Sequence, residues 1–170
     1  MARREIITYP DPILRKACAP VAEVDEEVVR LIDDLAETMY AAPGGAGLAA
    51  PQVGVSKRVI VLDVSHRSGP RELITLVNPE IIESGGEIIS VNEGCLSCPE
   101  VTIEIPRAEW VKVSGLDREG RPVVVEGDGF LSIVLQHEID HLSGQLIVDR
   151  LSRLKRGLYR RQRLKLKEGT

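Results

Sequence analysis

Gln136-His137-Glu138-Ile139-Asp140-His141 constrains this chain more than any other stretch. It is an H-E-x-x-H motif within residues 129–143, a segment that reads as helix. On a helix, positions i and i+4 lie one above the other on the same face. His137 and His141 therefore aim two imidazoles at one metal ion. Glu138 follows the first of them and projects about 100° round the axis, beside the ion rather than onto it. A metal ion with a neighbouring carboxylate is the minimum apparatus for hydrolysing an amide. Apolar Ile133, Val134 and Ile139 crowd the motif, so part of this helix should be buried. A polar surface helix with two chance histidines fits poorly, since His66 is the chain's only other histidine.

A chain of 170 residues is one domain of ordinary size, long enough to bury a core. With 43% hydrophobic and 28% charged residues it belongs to the soluble globular class. A net charge of −4 argues against bulk nucleic-acid binding by the whole chain, and 3% aromatics leave no stacking platforms. The charge is uneven. Arg153, Lys155, Arg156, Arg160, Arg161, Arg163, Lys165 and Lys167 follow Arg150 with one acid, Glu168. Cys18, Cys95 and Cys98 are too few for a disulfide scaffold. No apolar run reaches spanning length, and Met1-Ala2-Arg3-Arg4 does not open a signal peptide. A cytoplasmic location with reduced thiols is expected.

In chain order, Tyr9-Pro10-Asp11-Pro12 makes a turn-rich start. A helix is predicted over 26–41, capped by Asp25, with Val28, Leu31, Ile32, Leu35 and Met39 on one apolar face. Pro43-Gly44-Gly45 ends it. The small residues of Gly45-Ala46-Gly47-Leu48-Ala49-Ala50-Pro51-Gln52 permit close backbone approach to another segment or a ligand. Strands are predicted at 58–64, 73–78, 80–83, 87–91, 101–105, 110–116 and 122–126. Gly85-Gly86 reads as one hairpin turn and Asp117-Arg118-Glu119-Gly120 as another. The expected fold is α+β. Antiparallel or mixed sheets pack around a central metal-binding helix, with an N-terminal helix and a basic C-terminal helix from about 151 to 167. Residues 1–170 make a single catalytic domain with no internal repeat.

Two histidines need a third ligand, because catalytic zinc-like sites keep three protein ligands and one open position. After His141 the only acids are Asp149 and Glu168, and spacing alone does not dismiss Asp149. Cys95 is the stronger candidate: a thiolate is a strong ligand, and Gly94 leaves room beside it. Phe130, Ile133 and Val134 stand seven, four and three residues before His137. They share its helix face and should line an apolar pocket beside the metal, although any one of them also suits an ordinary core. Glu93, two residues before Cys95, faces the same way in an extended segment and needs a cation; Arg107 is the candidate partner.

Gly45-x-Gly47-x-Ala49-Ala50-x-Gln52, Glu93-Gly94-Cys95-Leu96-Ser97 and Gln136-His137-Glu138-x-Asp140-His141 together resemble the three motifs of peptide deformylases, in order and spacing. Tyr9-Pro10-Asp11-Pro12-Ile13-Leu14 and Ile105-Pro106-Arg107-Ala108-Glu109 also look like that family, so the resemblance covers nearly the whole chain. It implies removal of the formyl group from N-formylmethionyl ends of newly made proteins, with release of formate. It implies Cys95, His137 and His141 as ligands of one divalent metal ion. That ion would be Fe2+ in the cell, with Zn2+, Ni2+ or Co2+ in preparations. Glu138 would act as general base. The Gln52 amide and the Leu96 backbone N–H resemble the family's oxyanion stabilisers. Ala46 and Val91 match family pocket positions, so the pocket is read as Ala46, Gly47, Val91, Glu93, Phe130, Ile133 and Val134.

Three positions depart from the family's habit. Cys98 replaces an aliphatic residue, Phe130 a leucine, and Thr102 an arginine associated with substrate backbone, which leaves peptide-length preference open. Two other functions compete. A small metallopeptidase would use the same motif, but Gln52 and Cys95 speak against it. A closed Cys2His2 structural site from Cys95, Cys98, His137 and His141 needs the chain to turn at Leu96-Ser97, a poor turn pair, and has no use for Glu138. The substrate implied by the resemblance gives the basic tail a meaning beyond a solvated face, orientation at ribosomal RNA phosphate. Leu151, Leu154, Leu158 and Tyr159 would dock that helix on a domain expected to be monomeric and to stay off membranes.

Overall fold

The computed structural model describes residues 2–65 and 68–169. Helix α1 spans Glu26–Ala41, and the Asp25 carboxylate accepts from the Val28 N–H at 3.0 Å as its N-cap. The strands are β1 Gly47–Ala49, β2 Val59–Leu62, β3 Ile74–Gly85, β4 Ile88–Cys95, β5 Cys98–Arg107, β6 Trp110–Leu116 and β7 Pro122–Asp128. Helix α2 spans Gly129–Leu142 and α3 Arg153–Glu168. Short 3-10 helices cover Pro12–Arg15, Ala50–Val53 and Ile147–Arg150. No helix among the described residues is long and apolar enough to cross a membrane.

The fold is α+β. Five strands form one antiparallel sheet in the order β1-β2-β3-β6-β7, and β4 and β5 form a separate antiparallel hairpin. Among the described residues the one parallel pairing is an isolated bridge between Ala19 and Lys57. Strand β2 shows why the large sheet is covered on both sides. All four of its residues are buried. Ile60 and Leu62 pack with Leu135 and Leu142 of α2, while Val59 and Val61 pack with Ile32, Leu35 and Met39 of α1. Alternate residues of a strand point to opposite faces, so an uninterrupted apolar run is what a strand between two helices requires. A third cluster under the β4–β5 hairpin joins Tyr9, Leu14, Ile103, Ile105, Ile147, Val148 and Tyr159. Helix α2 therefore lies between the large sheet and the small hairpin.

Three expectations are corrected. The runs at 73–78 and 80–83 are one strand, β3, interrupted by an irregularity between Val77 and Glu80 where Asn78 takes φ 52°. Gly85-Gly86 is not a hairpin turn, because β3 pairs with β6 whereas β4 pairs with β5. The glycines serve close approach instead. A Cβ on Gly85 would lie 2.7 Å from the Trp110 ring, and Gly86, at φ 67°, is pressed by Glu109. The true turn is Leu96–Ser97, which joins Cys95 to Cys98 as facing residues. It is held from outside. The Ser97 carbonyl accepts from the Tyr9 N–H at 2.8 Å, and the Ser97 hydroxyl accepts from Gln52 at 3.0 Å.

The C-terminal helix forms where the sequence places it, but not on the expected stripe. Tyr159 is its one buried residue among those described, and Leu154 and Leu158 are exposed. Tyr159 stacks on Tyr9 with ring centroids 5.7 Å apart, and its hydroxyl donates to the Pro99 carbonyl at 2.7 Å.

Candidate active site

The hairpin and α2 supply the site from opposite sides. In β4, Ser90 and Glu93 face inward while Val91 and Asn92 face out. That spacing breaks strict alternation. The register shifts between Ser90 and Glu93, and Asn92 adopts φ 55°. This is a bulge: one extra residue resets the alternation. Without it Asn92 would point inward; with it Glu93 and Cys95 do. Asparagine is among the residues that take a positive φ most readily.

On α2, buried His137 and His141 lie one turn apart, ring centroids 5.1 Å apart. Cys95 Sγ sits 3.4 Å from His141 Nε2. The ligand atoms of Cys95, His137 and His141 all lie within 4.8 Å of one another, a group able to hold a metal ion. His137 Nδ1 is 2.7 Å from Glu93 Oε1, which leaves Nε2 free for an ion. One thiol and two imidazoles suit a divalent transition metal by donor chemistry as well as by convergence. Asp149 is not in this group. Its carboxylate pairs with Arg15 at 2.8 Å and accepts from the Leu146 N–H at 3.0 Å. Cys98 also stands outside it, which disfavours the closed Cys2His2 site although the chain does turn at Leu96–Ser97.

Behind the donors lies a buried charge chain. Arg107 contacts Glu93 at 2.5 Å and Asp140 at 2.7 Å, so the expected Glu93–Arg107 pair is present. Burial pushes the Glu93 carboxyl up. Hydrogen bonds from His137 and Arg107 outweigh that and hold it down at about 2. The Cys95 thiol is lowered well below its ordinary value, first by a hydrogen bond from Cys98 and then by both histidines. His137 is raised: burial opposes its charge, but Cys95 and Glu93 favour it more strongly. Asp140 had no assigned role in the sequence reading. Its place beside His141, off the ligand face of the same helix, was the available signal.

Glu138 is 4% exposed, and its Oε2 has no protein hydrogen-bond partner among the described residues. Burial raises its pKa. A Cβ on Gly47 would stand 2.6 Å from Glu138 Oε1, so β1 passes this carboxylate at a distance only glycine allows. Gln52 is fixed at both ends. Its Oε1 accepts from the Ala49 N–H at 2.9 Å, and its amide donates to Ser97 Oγ at 3.0 Å and reaches Cys95 Sγ at 3.8 Å. Ser97, which aims that amide, was missed by sequence reasoning, since a serine in a turn carries no distinctive signal.

A cavity of about 580 Å³ opens over these groups. Ala46, Gly47, Val91, Glu93, Phe130, Ile133 and Val134 all line it, with Gln52, Cys95, Leu96, His137 and Glu138. Val91 and Phe130 are exposed and stand at its rim, and Glu93 turns its carboxylate to His137 and Arg107. Cys98 is a lining residue too. Thr102 is exposed and does not line the cavity.

Comparison with known proteins places this arrangement. The polypeptide deformylase family profile matches residues 3–157. A peptide deformylase of Thermodesulfovibrio yellowstonii is 51% identical over 162 residues, 95% of this chain and 97% of that protein. The crystal structure of a Legionella pneumophila peptide deformylase superposes with TM-score 0.88 at 48% identity, covering 98% of this chain and 96% of that one. An Ehrlichia chaffeensis peptide deformylase, solved in complex with actinonin, superposes with TM-score 0.89 at 37% identity over all of both chains. With the matching motifs, fold and site geometry, the chain belongs to the polypeptide deformylase family.

Proposed function

We propose that the chain hydrolyses the formyl amide of N-formylmethionyl ends of newly synthesised proteins and releases formate. The observation that carries the reading is the convergence of three donors, Cys95, His137 and His141, with the buried carboxylate of Glu138, whose Oε2 has no hydrogen-bond partner among the described residues; Cys95, His137 and Glu138 line the cavity. The resident ion is read as iron(II), which zinc, nickel or cobalt replace with the same donors. When bound, such an ion polarises a carbonyl oxygen and lowers the pKa of water.

The residues account for the rest. Glu138, made more basic by desolvation, takes the proton of the attacking water and returns it to the leaving amine. The Gln52 amide and the Leu96 N–H donate to the oxygen that gains charge; one such donor is worth roughly 3–4 kcal/mol of transition-state stabilisation. Ala46, Ile133, Val134 and Phe130 hold the methionine side chain, with Val91 and Gly47 along the substrate backbone. Glu93 acts through His137: it accepts from Nδ1 and fixes the ring with Nε2 toward the ion.

Residues 1–170 are read as one catalytic domain, active as a monomer in the cytoplasm, a compartment that favours free thiols such as Cys18, Cys95 and Cys98. The basic face of α3 orients the enzyme at ribosomal RNA through counterion release. Arg163 and Lys167 reach Thr8, so Arg160, Arg161 and Lys165 are the cleaner set to reverse. Changing these three to Glu should weaken ribosome binding at low salt and leave turnover of a short formyl peptide intact; undiminished binding returns the helix to a solvated face. The main reading is tested by anaerobic formate release from formyl-Met peptides by the metal-loaded protein. Absence of formate from a fully loaded sample would refute it.

A further inference from the structure

The mechanism has no use for Cys98, yet the fold places it against the one thiol the mechanism needs. Cys95 and Cys98 are facing residues across the two-residue turn Leu96–Ser97. The ends of such a turn lie within about 7 Å of each other. A disulfide asks for Cα atoms roughly 4.4–6.8 Å apart. Facing residues of an antiparallel pair project to the same side of the hairpin. Both cysteines line the cavity through which substrate enters, so a molecule as small as a peroxide reaches them. Cys98 is otherwise buried among apolar side chains. The third thiol, Cys18, sits in a different buried cluster and takes no part.

We propose that, in the metal-free protein, Cys95 and Cys98 are a site of reversible oxidation by hydrogen peroxide or an organic hydroperoxide, with Cys98 as the resolving thiol that keeps Cys95 recoverable. The Cys95 sulfur attacks the terminal peroxide oxygen: an S–O bond forms, the O–O bond breaks, and the departing oxygen leaves after protonation as water from hydrogen peroxide or as an alcohol from an organic hydroperoxide. Cys98 then attacks the Cys95 sulfenic sulfur. The S–S bond forms, the S–OH bond breaks, and the hydroxide leaves as water with the Cys98 proton. Two thiols lose two electrons in total, and one hydrogen peroxide becomes two waters, or one organic hydroperoxide an alcohol and a water. A dithiol reductant reverses the change by exchange and returns Cys95 as a ligand. A single thiol in the same place would continue to the sulfinic and sulfonic acids, which no thiol reverses.

The proposal rests on Cys95 as metal ligand, but its test reads mass and thiols rather than formate, so either reading can fail alone. The whole chain is stripped of metal with a chelator, treated with hydrogen peroxide, alkylated and digested without reduction. Cys95 and Cys98 share the tryptic peptide spanning 72–107, apart from Cys18. That peptide should escape alkylation and be lighter by about 2 Da than the reduced form. Dithiothreitol should restore both thiols and the capacity to bind metal. In Cys98→Ala and Cys98→Val the same peptide should instead gain about 32 to 48 Da, with metal binding permanently lost. The wild-type measurement stands whatever the stability of the variants. Sulfonic acid accumulating at Cys95 in the wild type, with Cys98 still open to alkylation, overturns the proposal.

Discussion

Helices α2 and α3 are nearly equal in length, 14 and 16 residues, and are held by opposite means. Each turn of α2 from Ser132 onward is tied to the end of β5 or to the hairpin. Gln136 exchanges two hydrogen bonds with the backbone of Ala108, at 3.0 and 2.9 Å. His137 meets Glu93, and Asp140 meets Arg107. Helix α3 rests chiefly on one tyrosine. The difference teaches where polar groups carry function. A buried charged network is costly to break, because the surviving partner is left unpaired. Exposed charges contribute little to stability and are free to serve binding.

The largest effect should come from Glu138 of α2, whose Oε2 has no hydrogen-bond partner among the described residues. Glu138→Gln keeps the shape of the side chain and loses its basicity. The turnover number should fall by roughly 10²- to 10⁴-fold. Metal content should not change, since Glu138 is outside the donor group. Formate release near the wild-type rate would remove Glu138 as the base.

Arg107 comes next. Its side chain is 5% exposed and serves Glu93 and Asp140 together. Arg107→Ala leaves two acids facing each other behind the ligands, at a cost of about 3–5 kcal/mol. Urea unfolding of the metal-free protein measures this without the contribution of the ion. A loss below about 1 kcal/mol would mean the pair behaves as a surface bridge.

These groups were unequally legible in the sequence. The α1 helix and the His137–His141 pair are local patterns, a cap with helical periodicity and an i, i+4 spacing, and the structure reproduces both. The Leu96–Ser97 turn was not legible, because neither residue favours a turn and Tyr9 and Gln52 hold it from far along the chain. Gly85-Gly86 misled for the converse reason. A local turn signal there serves contact with Trp110 and Glu109, while β3 and β4 part into different sheets. The bulge at Asn92 is also a pairing property, so Glu93 could be matched with Arg107 but not seen to reach His137. On α3, leucine spacing suggested a stripe, but the rotation of the helix is set by Tyr159 on Tyr9.

Glu93→Gln tests the link between the charge chain and the donors at a smaller scale. The amide still reaches His137 Nδ1 but no longer carries the charge that favours one ring orientation and pairs with Arg107. Metal affinity should fall about 10- to 100-fold, the usual cost of changing a group that orients a ligand. Competition with a chelating dye reads this directly. Unchanged affinity would confine Glu93 to folding.

The smallest effect belongs to α3. Tyr159→Phe keeps the ring that stacks on Tyr9 and removes the hydroxyl that donates to Pro99. The stability loss should be about 1 kcal/mol, the net worth of one hydrogen bond. Pro99 follows Cys98 on the strand that leaves the active-site turn, so a coupling between α3 and the site would run through this bond. Formyl-peptide turnover and metal affinity decide whether it does. If the two helices are independent, as their different anchoring implies, both stay at wild-type values while the unfolding midpoint drops. A fall in metal affinity matching that of Glu93→Gln would show that α3 braces the hairpin, and the contrast between the helices would then be one of degree.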